Sequence, residues 1–550
     1  MLRAVVWLLL ATLISCNQFK LTSCTTEDCA FSEVPDPSLI EGDNSCDPAA
    51  RPFGFGTGTR LNPYRICTIG HFLNLELFPA PNTYFRQTTS LNFSATTFSP
   101  FGDGVIPFEG KYDGLNHILL DLEYNSPTDP LPVGLFRILG SGAEISNVKI
   151  MSIDITGNDH TGGLAGQASG FIKNVTVSGL VTGNGHVGGL VGSQFTNGLI
   201  ISESQTSATI LSLATSLLIS NTLFDGRTTL VGAGGIIGTS SYDMTLDKIT
   251  SSSDVTFTSG ARGNYTNVGA GGIVGTTAGK NSLIQDSTSS GVITSGFNAG
   301  GIIGAEGSGN AETFVANSST PTPALYRRLG STATVRGLSI VGGIMGYMNG
   351  GTIHQSYYQG TIIGKVNTGG ILGASLGGGI TESFSSGEIR EIDGTTSCES
   401  VGGVLGESFT TAFNHSFIIS DSFTSMEISL SCSNGSGLNI SSFSGKGAEN
   451  TNELYTRVAS FVTVTSSPLT AFGNSNSLQL VKSIYIQGPN VPSDPTASSI
   501  PVTDPLDLTQ YIPGLDLALP IWKMTTTNPF SSFNHPIPAW ACTLSGVNCI

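Results

Sequence analysis

The chain has 550 residues, of which only 11% are charged, and its formal net charge is −16 at pH 7. Lysine and arginine number 23 against 39 aspartates and glutamates, which argues against the basic face of a nucleic-acid-binding protein. With 71 glycines in the chain, isolated matches to the nucleotide-binding pattern G-x-G-x-x-G carry no information.

The N-terminus has the layout of an export signal. After Met1–Arg3, an apolar run of eleven residues from Ala4 to Ile14 is too short to span a bilayer as a helix. The tetrapeptide that ends at Cys16, Leu-Ile-Ser-Cys, resembles the bacterial lipobox. The resemblance implies that residues 1–15 are a lipoprotein signal peptide and that Cys16 is multiply acylated, which anchors a protein firmly. The alternative is an ordinary signal peptide with an incidental cysteine. Asn17, where an aspartate often signals retention in the inner membrane, favours the outer membrane.

Residues 16–50 carry no repeat and contain several prolines and acidic residues, which predicts a flexible tether, and residues 51–130 predict an N-terminal cap with the first coils. Nine cysteines less Cys16 leave eight, an even number that suits disulfides in an oxidising compartment. Four are expected to pair near the N-terminal cap, with the connectivity left open: Cys24, Cys29, Cys46 and Cys67.

The central part of the chain repeats one five-residue phrase, Gly-Gly, two apolar residues and Gly. Successive copies start 26 to 46 residues apart, a period typical of solenoids. The eight copies begin at Gly162, Gly188, Gly234, Gly271, Gly300, Gly342, Gly369 and Gly402.

Two further short runs accompany the phrase. One has the form Ile-x-polar-Ser/Val, and the other is an alternating run after Gly or Ser, as in Gly179–Thr182 and Gly360–Ile363. These runs are short, β-branched and bounded by turn residues, which favours strands over helices. Three runs per repeat predict one three-faced coil, in which the glycines permit positive φ at corners and close backbone approach. The polar third position either forms a hydrogen-bonded ladder or consists of ordinary turn residues (Asn147, Asn174, Asp286, Gln355). The Ile-x-polar-Ser/Val run begins at Ile145, Ile172, Ile201, Ile284, Ile353, Ile380 and, with phenylalanine in place of isoleucine, at Phe413.

Together these phrases resemble the GLUG repeat, whose family builds right-handed parallel β-helices on bacterial surface proteins. The segments Gly56–Ile66, Phe108–Ile118 and Val133–Phe136 resemble the family's lead-in, and Trp522 with Pro538 and Trp540 resemble its closing strand and cap. The resemblance implies an all-β fold: a right-handed, single-stranded parallel β-helix (β-solenoid) with N- and C-terminal caps. Repeats are expected over 131–430, and the last coils and C-terminal cap over 431–550.

The register of the repeated phrases places the predicted insertions and pairs two of the cysteines. Four insertions are expected to follow the third run and so to share one edge, around 211–231, 256–269, 319–331 and 391–400. Cys398 and Cys432 follow equivalent runs of adjacent coils. Parallel strands about 4.8 Å apart suit disulfide Cα separations of roughly 4.4–6.8 Å, so this pair is predicted to bond. Cys542 and Cys549 are expected to close the C-terminal cap.

A search for catalytic motifs yields no catalytic residue. The zinc-peptidase and P-loop patterns H-E-x-x-H and G-x-x-x-x-G-K-[ST] do not occur in the sequence. Asp159, His160 and His186 are weak metal-ligand candidates, because each histidine lies two residues before a Gly-Gly and the two would stack on adjacent coils. The alternative is a solvated stack of turn residues, and no cofactor is expected.

Polysaccharide chemistry is a second candidate, because parallel β-helices often host lyases and glycosidases. The residues concerned would be Asp243, Asp247 and Asp254, with Arg227 and Arg262, but nothing in the sequence fixes a carboxylate pair. Aromatic side chains are expected on the outer faces: Tyr357, Tyr358, Phe384, Phe417 and Phe423.

The functional prediction is a lipid-anchored bacterial cell-surface β-solenoid, non-catalytic, acting in adhesion or envelope binding. Its partners would be the membrane, through the lipid on Cys16, and a surface glycan or protein, but no nucleic acid. The alternative is a surface β-helix that binds or degrades polysaccharide. The longest insertion, with Leu217 and Phe224, either contacts a partner or folds back onto the coils.

Overall fold

The structure is a computed structural model that describes residues 44–77, 79–213, 230–258, 268–307, 324–392, 399–408, 416–430, 440–441 and 443–446, together with short strands between 452 and 538. Asn44–Ile550 form one compact unit, which is almost entirely parallel β-structure. The predicted fold class, a parallel β-helix, is therefore confirmed. No helix among the described residues is long and apolar enough to cross a membrane.

The first sheet, sheet 1, has nine described strands, most of which end on the first glycine of the repeated phrase. Neighbouring strands are parallel and in register, as Val187 and Gly188 are with Thr161 and Gly162. The strands are Thr161–Gly162, Val187–Gly188, Val231–Gly234, Val268–Gly271, Asn298–Gly300, Val341–Gly342, Val366–Gly369, Glu399–Gly402 and Ile440–Ser441.

The second sheet, sheet 2, is separated from most sheet 1 strands by two residues and contains the last glycine of the phrase. Its ten described strands are Phe136–Leu139, Ala165–Ala168, Val191–Gln194, Ile237–Ser240, Val274–Thr277, Ile303–Glu306, Met345–Met348, Leu372–Ser375, Leu405–Ser408 and Ser444–Lys446.

The third sheet, sheet 3, carries the other two predicted runs, which form two legs of one bent sheet. Its thirty described strands are Tyr64–Ile66, Tyr84–Gln87, Leu91–Asn92, Lys111–Asp113, Ile118–Leu120, Glu123–Asn125, Glu144–Thr156, Phe171–Gly183, Leu199–Ser202, Gln205–Thr206, Thr209–Ser212, Met244–Asp247, Thr250–Ser251, Val255–Phe257, Leu283–Ser289, Val292–Ser295, Leu325–Ser331, Thr334–Gly337, Thr352–His354, Tyr357–Gly364, Gly378–Thr381, Phe384–Glu391, Ser416–Ser420, Phe423–Ser429, Asn452–Thr456, Ala459–Ser460, Thr463–Val464, Leu478–Val481, Ser483–Ile486 and Ser499–Val502. Trp522–Met524 and Pro536–Pro538 form a separate antiparallel pair.

The glycines of the repeated phrase are required by close backbone approach. A Cβ on Gly235 would lie well inside 3.0 Å of the Gly272 carbonyl oxygen on the next coil, and one on Gly238 would meet the Gly192 carbonyl. The expectation of positive φ at these glycines is wrong, because the described glycines with positive φ, such as Gly170 and Gly198, lie outside the phrase. Stacked backbones at the narrow corner leave no room for a side chain.

The bend within sheet 3 is made by the polar third position. In nine coils this residue is left-handed, with φ between 48° and 54°: Asn147, Asn174, Glu203, Lys248, Asp286, Arg328, Gln355, Glu382 and Asp421. Asparagine and aspartate tolerate this conformation best, but the coil stack imposes it on every residue at the bend.

The left-handed residues show that the sequence alignment missed the bend position in three coils, at Lys248, Arg328 and Asp421. The sequence did not identify Lys248 and Arg328 as members of this position. In the last of the three, Phe413 is not the equivalent of Ile380, because Ile380 pairs in register with Ile419; Phe413 itself lies outside the described residues.

Serines stabilise the bend from inside. The Ser356 hydroxyl donates to the His354 carbonyl at 2.9 Å and accepts the Leu329 backbone N–H of the preceding coil at 3.2 Å. The same bonds recur through Ser204, Ser287, Ser383 and Ser422. A hydroxyl therefore satisfies a buried N–H group where the bend interrupts the ladder.

The N-terminal cap closes the first coil with a short helix, Ile69–Leu73, and a 3₁₀ turn, Asn74–Leu77. Phe72 packs edge-to-face against buried aromatic rings, Phe93, Phe101 and Tyr112. A disulfide joins Cys46 to Cys67. The compact unit starts at Asn44, and the disulfide ties Cys46 to the cap.

The described strands that flank the four insertions assign them to two kinds of connection between sheets, not one. Those around 211–231, 256–269 and 391–400 connect sheet 3 to sheet 1, as predicted. The one placed around 319–331 is misassigned, because Leu325–Ser331 is a sheet 3 strand paired with Leu283–Ser289. The inserted chain at that point follows the sheet 2 strand Ile303–Glu306 instead.

Several predicted residues lie outside the described part of the chain. They are Cys16, Cys24, Cys29, Cys398, Cys432, Cys542 and Cys549, together with Arg227, Arg262, Leu217 and Phe224.

Candidate functional site

Two histidines stack at the start of adjacent sheet 1 strands. His160 and His186 directly precede Thr161–Gly162 and Val187–Gly188, which pair in register. Their imidazole centroids are 4.6 Å apart and the rings are inclined by only 9°. The register of the Gly-Gly phrase therefore brings together side chains 26 residues apart.

Asp159 completes a compact cluster with these rings. Its Oδ2 lies 3.7 Å from His160 Nε2, and its Oδ1 lies 3.6 Å from His186 Nε2. His186 is buried, whereas the Asp159 side chain is 49% exposed. The Asp159 Oδ1 atom is nevertheless buried and has no hydrogen-bond partner within the described structure.

The other ring nitrogen of each histidine is held by a hydroxyl. Ser193 Oγ lies 2.8 Å from His160 Nδ1, and Thr239 Oγ1 lies 2.8 Å from His186 Nδ1. Ser193 and Thr239 pair in register on sheet 2. Both imidazoles are thus fixed through Nδ1, and both present Nε2 to the same carboxylate.

Ser193 and Thr239 are not among the residues predicted from the sequence. Each directly follows the last glycine of its phrase, Gly192 and Gly238. Aligning the phrases by that glycine would have placed the two hydroxyls in one column. The sequence alone does not show that each hydroxyl contacts the histidine of the preceding coil.

The pKa values of His160 and Asp159 are both lowered within the cluster. Burial, and then the neighbouring His186, lower the pKa of His160 to about 4, although Asp159 acts in the opposite direction. Burial would raise the pKa of Asp159, but the charges of His186 and His160, helped by the nearby His186 backbone N–H, outweigh it, so that this pKa is lowered. Around pH 7 the site therefore combines a carboxylate with a neutral His160.

The aspartates considered for polysaccharide chemistry are engaged in bonds between coils. Asp243 accepts the Asn281 backbone N–H at 2.9 Å, and Asp247 accepts the Gln285 side-chain amide at 2.8 Å. Asp254 accepts the Val292 backbone N–H at 2.9 Å. Among the described residues these three carboxylates do not form a group with oxygens within 4.8 Å of one another.

The aromatic residues expected on the outer faces are buried. Tyr357, Phe384 and Phe423 stack ring on ring at 5.6 and 5.1 Å, but Tyr357 is only 6% exposed and the other two are fully buried. Tyr358 and Phe417 belong to the hydrophobic core. The prediction of surface aromatics is wrong, since rings of this size stabilise the coils by leaving water.

Two columns of outward side chains on sheet 3 are instead largely polar. One column runs Thr176, Gln205, Thr250 and Thr288, paired in register, with Gln205 and Thr250 exposed. Gln205 donates its side-chain amide to Thr176 Oγ1 at 3.0 Å. A parallel column contains Thr182, Leu211, Thr256 and Thr294. We call the two columns the hydroxyl face.

No protein-family model matches the chain. Halomucin from Haloquadratum walsbyi is 28% identical over 163 residues, covering 27% of this chain and 2% of its own. A candidate Gly-rich membrane protein from Evansella cellulosilytica is 28% identical over 134 residues, covering 23% of this chain and 15% of its own. The chain thus spans only a small part of either relative. A crystal structure of a candidate immunoglobulin A1 protease from Bacteroides ovatus aligns over 89% of this chain and 95% of its own, with 14% identity and a TM-score of 0.24.

Proposed function

We propose that this chain is a lipid-anchored β-solenoid of the bacterial cell surface that acts in adhesion or envelope binding, without catalysis. The observation that carries the proposal is the hydroxyl face. Its Thr and Gln side chains repeat at the strand spacing of about 4.8 Å, which suits an extended polar ligand such as a glycan.

The composition of the chain agrees with a binding surface of this kind. Only 11% of its residues are charged, so the outer columns of sheet 3 rely on hydroxyl and amide groups for solvation. Such groups donate and accept hydrogen bonds to neutral sugars without the cost of removing a charge from water.

The hydrogen bonds that Asp243, Asp247 and Asp254 accept favour glycan binding over polysaccharide cleavage. A glycosidase needs two carboxylates about 5–9.5 Å apart and free to exchange protons with substrate. Asp243, Asp247 and Asp254 each accept a hydrogen bond from the next coil, which ties them to the scaffold.

The envelope location is supported by the lipobox-like sequence at Cys16. One relative carries the name of a Gly-rich membrane protein, which agrees with such a location. The GLUG resemblance of the repeats supports the surface assignment in the same way and stays a prediction.

A glycan array read beside a reducing-sugar assay on the bound glycans tests the proposal. Binding without release of reducing ends is expected. Thr250→Arg, in the middle of the hydroxyl face, should weaken binding, whereas Ser241→Arg, at an exposed bend outside it, should not. Turnover that a single Asp→Asn change abolishes would overturn the proposal.

A further inference from the structure

We propose that Asp159, His160 and His186 form a binding site for Zn²⁺ that bridges two adjacent coils. The ion would take one carboxylate oxygen and both Nε2 atoms. This site is separate from the hydroxyl face and does not depend on the proposed adhesive function.

The spacing of the donor atoms is close to what the ion needs. The three ligand atoms all lie within 4.8 Å of one another, and the carboxylate–imidazole separations are 3.6 and 3.7 Å. Bonds of about 2.0–2.1 Å in a tetrahedral site place donors roughly 3.3 Å apart. These two separations belong to different carboxylate oxygens, so the carboxylate must rotate to bring one oxygen close to both rings, and the stacked rings must tilt toward each other.

The hydroxyl partners prepare the rings for metal binding. Histidines that bind metals usually donate their second ring N–H to an oxygen, which fixes the tautomer and directs the other nitrogen at the ion. The hydroxyl oxygens of Ser193 and Thr239 provide such acceptors, each 2.8 Å from an Nδ1 atom. Both Nε2 lone pairs are then available on the side of Asp159.

The buried oxygen of Asp159 is a second, independent indication. Asp159 Oδ1 is shielded from water and has no hydrogen-bond partner in the described structure. A carboxylate oxygen in this condition destabilises the fold. A cation coordinated by that oxygen would remove the cost.

The position is specific to these two coils. In register with His160 and His186 the preceding coil has Pro132, and the following coils have Gly232 and Gly269. None of these residues offers a side-chain ligand. The pair of histidines is thus a local feature and not a property of the repeat.

The donor set selects the class of metal. Two imidazoles with one carboxylate suit Zn²⁺ and similar first-row ions, whereas Ca²⁺ and Mg²⁺ prefer oxygen ligands alone. Three protein ligands leave a fourth position for water or for an acidic group of a partner. The half-exposed side of Asp159 is the accessible side of the site.

Isothermal titration of the full chain in detergent with ZnCl₂, at neutral pH, tests the proposal. Binding of one Zn²⁺ ion is expected that His160→Ala and His186→Ala abolish or weaken at least tenfold, with CaCl₂ and MgCl₂ giving no binding. Thr239→Val should weaken binding about tenfold, because a lost second-shell bond usually costs 10–100-fold in affinity.

His354→Ala is the matched control, since His354 also bonds a hydroxyl, Thr381 Oγ1, through Nδ1 at 2.8 Å. It should bind Zn²⁺ as the wild type does. If His186→Ala fails to fold, Asp159→Asn, which keeps the size of the side chain, must lower the affinity at least tenfold. Absence of Zn²⁺ binding by the wild type, or equal affinity in the ligand variants, would overturn the proposal.

Discussion

Asp286 and Arg328 occupy the same left-handed position in consecutive coils and form a bidentate salt bridge. Arg328 Nε donates to Asp286 Oδ1 and Arg328 Nη2 donates to Oδ2, both at 2.6 Å. Both side chains are about a quarter exposed, at 29% and 26%. The ladder along the bend is thus made of different polar pairs: Asn174 donates to Asn147 at 2.8 Å, and Gln355 donates to Glu382 at 2.9 Å.

Loss of the Arg328 side chain should lower the free energy of unfolding by about 1 kcal/mol, because a partly shielded bidentate pair lies at the upper end of surface salt bridges. Urea unfolding of Arg328→Ala, Asp286→Asn and the double variant measures the coupling. Lys173→Ala is the control and should change stability less, because the Lys173–Glu203 pair is longer, at 3.6 Å, and more exposed, at 45% for each side chain. A coupling energy of zero would contradict the prediction.

Alanine at Gly235 should destabilise the protein by about 3 kcal/mol or more, since a Cβ there would lie inside 3.0 Å of the Gly272 carbonyl oxygen. The Gly272 backbone cannot yield as a flexible side chain could, and the Ser251 hydroxyl would crowd the same Cβ. Gly296→Ala is the control, because no atom lies within 4 Å of a Cβ at that position. Equal thermal unfolding midpoints for the two variants would show that the phrase is not limited by backbone contact.

Stability should fall as the pH drops from about 6.5 to about 4. The pKa of His160 is lowered from 6.5 to about 4 by burial and by His186. Between these two pH values the His160 imidazole is therefore protonated in the unfolded chain and neutral in the folded chain. Stability then rises with pH, by at most about 3 kcal/mol across the window. The lowered pKa of Asp159 acts in the same direction at still lower pH.

Urea unfolding at several pH values measures this dependence. His160→Gln should remove most of the slope between pH 4 and 6.5 while leaving the remaining titrations in place. An unchanged slope would mean that the acid sensitivity arises elsewhere.

Replacing both Cys46 and Cys67 by serine should lower the free energy of unfolding by about 3 kcal/mol. The disulfide closes a loop with a sequence separation of 21, and loops of this size constrain the unfolded chain by that amount. Unfolding of the double variant beside the wild type in oxidising buffer measures the loss. A stability equal to that of the wild type would show that the cap is held by its aromatic core alone.

Cys16→Ser should release the protein from membranes, because it removes the residue on which the predicted acyl chains are carried. Fractionation of cells into membrane and aqueous parts measures the effect, with Cys24→Ser as the control that should stay in the membrane fraction. A membrane-bound Cys16→Ser protein would disprove the lipid anchor.

Much of the fold could be predicted from local patterns. The Gly-Gly phrases, which end most sheet 1 strands and lead into sheet 2, identified a coil that repeats, and the turn-forming polar position marked the bend of sheet 3. Where the pattern was degenerate the prediction failed. Lys248 and Arg328 take the left-handed bend although their residue types do not indicate it, because the neighbouring coils impose that conformation.

The sequence by itself determined the repeat, its β-structure, the register that stacks His160 on His186, and the scarcity of charge. Only the tertiary structure decided which side chains face inward, that the stacked Tyr357, Phe384 and Phe423 are buried, and that Ser193 and Thr239 hold the histidine rings. The physical reason is that register along the chain follows from local spacing, whereas burial and hydrogen-bond partners depend on how consecutive coils pack against one another.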